Sequence, residues 1–183
     1  MKKKTTGVFD RDFSFSILQN VLDMISKCDT KISYLLGAIS LVVVFELNLI
    51  NYDFFKEHLV QNFTAPNVLL TLTFLVGLFF TITTIGLCIY SLSPKIKNRI
   101  HSSKLCEKSV LYFGTISTFT YSQYKDKCEH LTDNELKNDL LSQIYINSII
   151  ANKKYRLLKL SSLFFVLSSI CLFLFIVFQN AYQ

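Results

Sequence analysis

The chain has 183 residues, 51% of them apolar, with a mean hydropathy of +0.38 and a net charge of +6. That is too apolar for an ordinary small soluble domain. The basic residues are interspersed with Glu107, Asp126, Glu129, Asp133, Glu135 and Asp139 rather than gathered in a patch, which argues against a nucleic-acid partner.

Lys2, Lys3, Lys4, Arg11, Lys27 and Lys31 precede the first long apolar run, and twelve more Lys or Arg residues fall within positions 95–159. Lys56 alone lies in the connection after that first run. The positive-inside rule then sets the N-terminus and the long central loop in the cytoplasm, with residues 51–67 and the tail 179–183 outside. The apolar runs make the lipid bilayer the first expected partner.

Residues 1–31 read as a cytoplasmic N-terminal segment. From Phe13 onward, Ile17, Leu18, Val21, Leu22 and Ile25 share one helical stripe opposite Gln19, Asn20, Asp23 and Ser26, so an amphipathic helix is expected. With few basic residues on it, packing against other helices is favoured over adsorption to lipid. Residues 32–50 form the first span. It carries Glu46, the membrane-embedded charge, near its outer end. There the side chain reads as snorkelled toward water or Lys56, with a pore-facing or inter-subunit carboxylate as the alternative.

Residues 51–67 are an outer connection and 68–92 the second span. Thr71, Thr73, Thr81, Thr83 and Thr84, with Gly77 and Gly86, give that span small and hydroxyl-bearing faces suited to helix packing within or between chains. Ser93-Pro94 ends it, because a residue before proline is steered out of helical geometry.

Residues 93–159 form a cytoplasmic helical region. Its apolar patch at 110–116 holds Tyr112 and Phe113, Gly114 marks a turn, and a short helix is expected over 117–130 with Phe119, Tyr121 and Tyr124. These aromatics read either as the core of a small helical unit, which composition favours, or as a surface that stacks a base. Thr132-Asp133-Asn134-Glu135 is a capping box. From it a helix runs on without Gly or Pro through Leu136, Leu140, Ile144 and Ser148, which recur every four residues. It passes Lys153-Lys154-Tyr155-Arg156 and enters the uncharged third span, 160–178, whose 19 residues reach roughly 29 Å, about a bilayer core. The expected fold is an all-α membrane protein: three transmembrane helices, an N-terminal amphipathic helix, and a cytoplasmic helical unit between spans two and three.

Five cysteines, Cys28, Cys88, Cys106, Cys128 and Cys171, show no CxxC spacing, so neither a disulfide framework nor a metal site is implied. No HExxH, GxSxG or glycine-rich phosphate loop is present, and His58, His101 and His130 lie far apart. The expectation is a protein that is not an enzyme and needs no cofactor.

In order and placement, several pieces resemble the transmembrane effector family of Pycsar anti-phage systems. They are Asp29-Thr30-Lys31 with Tyr34-Leu35-Leu36-Gly37-Ala38 at the first span, and Ser91-Leu92-Ser93-Pro94-Lys95 after the second. Leu111-Tyr112-Phe113-Gly114-Thr115-Ile116 follows in the loop. Asp139-Leu140-Leu141-Ser142-Gln143-Ile144-Tyr145-Ile146-Asn147-Ser148-Ile149-Ile150 and Lys153-Lys154-Tyr155 come before the third span. The resemblance treats 13–178 as one domain. It implies a multi-pass protein of the bacterial inner membrane, triggered by a cyclic pyrimidine mononucleotide, cyclic UMP or cyclic CMP, made by a partner pyrimidine nucleotide cyclase. The effector then impairs the membrane, and the infected cell dies before the phage matures. A homo-oligomer is expected.

On that resemblance the ligand contacts would be Arg99, Lys153, Lys154 or Arg156 for the phosphate, Tyr112 or Phe113 for stacking, and Gln143 or Asn147 for a base edge. Each of these also has a structural reading, the basic residues as membrane-boundary groups above all. No separate cyclic-nucleotide-binding domain, on the order of a hundred residues, is visible. The site is therefore expected in the cytoplasmic helices or between subunits, or else the signal arrives through a partner. A holin-like or scaffold membrane protein without nucleotide sensing is the alternative function.

Overall fold

A computed structural model describes residues 11–49, 64–93 and 109–182. All regular structure among them is helical: α1 Arg11–Leu49, α2 Ala65–Leu92, α3 Phe113–Ile116, α4 Tyr121–Glu129 and α5 Asp133–Tyr182. Three of these, α1, α2 and α5, are long and apolar enough to cross a membrane. The chain is thus an all-α membrane protein. The amphipathic N-terminal helix and the first span are one 39-residue helix, since residues 27–31 hold neither Gly nor Pro to break it. Likewise α5 runs 50 residues from the capping box into the third span.

The helix ends follow local chemistry. At the start of α5 the Thr132 amide donates to Glu135 Oε2 at 2.9 Å, and the Glu135 amide donates to Thr132 Oγ1 at 3.3 Å. That is the expected reciprocal box. A second box, Thr120 with Gln123, begins α4 at Tyr121, so the helix expected over 117–130 starts four residues late. Gly114 lies inside the single turn of α3 rather than at a turn between elements. Ser93, before Pro94, adopts ψ 131° and ends α2 where expected.

The described chain separates into two compact units. The spanning unit comprises residues 28–49, 64–93 and 154–182. Its buried positions keep a heptad-like spacing: Cys28, Ile32, Ile39 and Glu46 on α1, Leu70, Phe74, Thr81, Thr84, Cys88 and Ser91 on α2, and Lys154, Ser161, Ser168 and Phe175 on α5. Such spacing keeps one seam of each helix facing its neighbours. Gly77 belongs to the same seam, and a Cβ there would lie 3.2 Å from Cys171 Cβ, so α2 and α5 approach closely. At one end Leu70, Phe74 and Phe175 form an apolar cluster, with the Phe74 and Phe175 rings 5.1 Å apart. Outward-facing Leu41, Val44, Phe45, Leu72, Phe79, Ile82, Leu163, Val166 and Phe173 are exposed, as suits a surface solvated by lipid tails.

The second unit, residues 11–27 and 109–153, is small. Its most buried apolar side chains are Leu140 and Val110. Ile17, Leu18, Val21 and Ile25 of α1 are half-buried, in keeping with a helix that packs. The core reading of the aromatics fails at Phe113 and Tyr121, which are 72% and 82% exposed. So few helices have too little interior to enclose every ring. The four-residue recurrence also drifts: each step of four overshoots a turn by about 40°, so Leu140 is buried while Ser148 faces out.

Candidate functional site

In the non-spanning unit, the loop from Ser109 to Tyr112 is fastened to α5 at two positions one turn apart. Asp139 Oδ2 accepts from the Val110 amide at 2.8 Å, and Gln143 Nε2 donates to Ser109 Oγ at 3.1 Å. Ser109 Oγ also accepts from the amides of Leu111 and Tyr112 at 3.1 and 3.0 Å. Thr115 Oγ1 donates to the Ser109 carbonyl at 2.7 Å, and Tyr124 from α4 donates to the Val110 carbonyl at 3.2 Å. A short loop with this many anchors holds a fixed shape.

That shape sets Tyr112 and Phe113 over the face of α5. Their rings lie 4.8 Å apart and tilted. Gly114 makes this possible, because a Cβ there would sit 2.5 Å from the Tyr112 ring. Tyr112, Phe113, Gln143 and Asn147 then line one pocket of about 240 Å3, closed by Leu111 and by Leu18 and Leu22 of α1. Four expected ligand contacts are thereby brought together. Two of their polar groups already have internal bonds: Gln143 holds Ser109, and Asn147 Nδ2 donates to the Gln143 carbonyl at 2.9 Å.

None of the basic candidates among the described residues lines this pocket. Arg99 is outside the described residues. Lys153 is exposed and does not line the pocket. In the spanning unit Lys154 is 8% exposed and ion-paired with Asp29. Its charge is therefore neutralised inside the helix seam and not presented to a soluble phosphate. The Asp-Thr-Lys piece before the first span contained this partner, but nothing in sequence order joins it to Lys154.

A larger cavity of about 750 Å3 in the same non-spanning unit is lined by Phe119, Lys127, His130, Glu135 and Asp139, among others. Most of its charged groups have contacts. Lys127 Nζ lies 5.1 Å from the Phe119 ring centroid, and His130 is 3.3 Å from Asp126. Glu135 is taken up by its cap, and the Thr132 amide and hydroxyl hold its carboxyl below the ordinary carboxylate range. Asp139 differs: it is 2% exposed, and Oδ1 has no partner among the described residues. Ser109 carries no sequence signal, and Asp139 enters the sequence reading only as a dispersed acid and as the first residue of the piece that runs to Ile150. The legible signal was the Asp139/Gln143 spacing of four beside the buried Leu140.

In the spanning unit Glu46 is 3% exposed. The snorkelled reading is therefore corrected. Thr81 Oγ1 donates to Glu46 Oε1 at 2.7 Å, and Thr81 Oγ1 lies 2.6 Å from Ser168 Oγ. One carboxyl thus joins hydroxyls from both other spans. Turning inward gives it hydrogen-bond partners that the apolar outer face of α1 lacks.

A family model described as the Pycsar effector protein domain matches residues 13–179. A curated relative, the Pycsar effector protein GmPycTM of Gulbenkiania mobilis, is 39% identical over 57 residues. The match covers 31% of this chain and 29% of that protein, so the chain spans under a third of the relative's length. No solved structure matches.

Proposed function

We propose, on the premise that this chain belongs to the Pycsar effector protein domain family, that it is an anti-phage effector of a bacterial inner membrane. In this reading the N-terminus and the non-spanning unit are cytoplasmic and the C-terminus is outside, as the distribution of Lys and Arg argues. The chain acts on the bilayer without catalysing a reaction. A cyclic pyrimidine mononucleotide, supplied by a partner cyclase, is the trigger, and loss of membrane integrity is the output.

The observation that carries the sensing half is the convergence of Tyr112, Phe113, Gln143 and Asn147 on one pocket. About 240 Å3 lies below the roughly 300–1,000 Å3 of drug-sized sites and suits a single base with its sugar. Flat rings stack the base and the two amides read its edge. The walls come from α1 and α5, and both helices also supply spans. A ligand with unequal affinity for two arrangements of these walls shifts the population of both helices. Protomers associate through α2, where the exposed Gly86 has no neighbour within 4 Å of a Cβ position.

The test is thermal unfolding of the detergent-purified full chain with cyclic UMP, cyclic CMP and, as control, cyclic AMP. A pyrimidine that binds the folded state at 100 times its Kd stabilises by about 2.7 kcal/mol, and Asn147→Ala abolishes that shift. Unchanged melting with every nucleotide sinks direct sensing and moves the receptor to a partner.

A further inference from the structure

We propose that Glu46 is the charge-selecting group of a cation path that forms when the three spans part. The inference rests on the membrane-permeabilising role proposed above and adds to it the class of solute that crosses. Positions 32–50, 68–92 and 160–178 contain one residue among Asp, Glu, Lys, Arg and His, and it is Glu46. A buried acidic group inside a span is expensive, and its default reading is functional. The exposed neighbours of Glu46 on α1, Val44, Phe45 and Leu47, are by contrast apolar.

Every other polar atom of the buried seam near it is a hydroxyl oxygen. Thr81 and Ser168 form the hydrogen-bonded chain to Glu46. Thr84, Ser91 and Ser161 continue the buried face along α2 and α5. The Ser91 hydroxyl is buried with no partner among the described residues, so the seam carries unused oxygen. Lys154 is the one cation among the buried residues, and Asp29 neutralises it. A path opened along this seam therefore has carboxyl and hydroxyl oxygens as its polar lining, set between apolar side chains such as Ile39 and Phe74, with one uncompensated acidic group. Rings of such oxygens replace the hydration of a cation and repel anions.

The competing account is that Glu46 merely bonds the spans together. The two part over Glu46→Gln, which keeps the shape and an oxygen acceptor for Thr81 but removes the charge. The full chain is reconstituted in planar bilayers of phosphatidylethanolamine and phosphatidylglycerol, and currents evoked by cyclic UMP or cyclic CMP are recorded under a potassium chloride gradient. The expected reversal potential is displaced toward that of potassium for the unaltered chain and for Glu46→Asp. For Glu46→Gln the displacement is lost. Evoked currents without cation preference in the unaltered chain, or a preference unchanged in Glu46→Gln, overturn the inference while leaving the permeabilising role standing. Absence of any evoked current from a chain whose melting temperature does respond to the nucleotide overturns that role and this inference together. Thermal unfolding of each variant shows that the spanning unit is intact.

Discussion

Asp139 presents two unlike oxygens from one buried position. One carboxylate oxygen accepts the Val110 amide, and the other is buried with no partner among the described residues. Asp139→Ala strands a buried amide, which costs about 1–3 kcal/mol. A clear fall in Tm is expected, whereas Asp139→Asn keeps one acceptor and falls less. An Ala variant melting with the unaltered chain would show that the loop is not held from α5. Glu135 gives a residue-scale pH effect. Its folded carboxyl is held below the ordinary range by Thr132, so its contribution is present above the unfolded value and is lost as pH falls through the depressed one. Amide protection in the first turn of α5, measured against unstructured peptide at the same pH, is therefore expected to fall in acid before that of the helix interior. Simultaneous loss of protection throughout the helix would remove the cap as the cause.

At the scale of elements, the spans are joined by side chains small enough to allow close approach. A Cβ at Gly77 would lie 3.2 Å from Cys171 Cβ, one turn from the Thr81–Ser168 contact. Gly77→Leu must push α2 from α5, breaking that hydroxyl pair. Overpacking of this kind costs about 1–3 kcal/mol, read as a lower Tm in detergent with helicity retained. A melting temperature that does not fall would mean that the seam yields freely. The capping boxes explain why α4 and α5 begin where they do. Thr120 and Gln123 were as readable as Thr132 and Glu135, since both pairs hold the same three-residue spacing. The apolar run before α4 drew the expected start too early.

For the whole molecule, α5 is one 50-residue helix that contributes both to the pocket beside Tyr112 and to the buried seam. Ile150→Pro interrupts it between Asn147 and Lys154, removing a backbone bond and clashing with the turn before, at a local cost of about 3 kcal/mol or more. The variant is expected to keep the nucleotide-induced melting shift and lose nucleotide-induced leakage. Retained leakage would dismiss the helix as the transmitting element. The sequence by itself determined the three spans, the unbroken course of α5 and its cap, because apolar length, breakers and caps act over a few residues. Pocket residues were readable as a set of types, though not as neighbours. Only tertiary structure decided that Glu46 turns inward to Thr81, that Thr81 meets Ser168, and that Asp29 claims Lys154. Those partners are 35, 87 and 125 positions apart, and what joins them is the need of polar groups to find one another inside an apolar bundle.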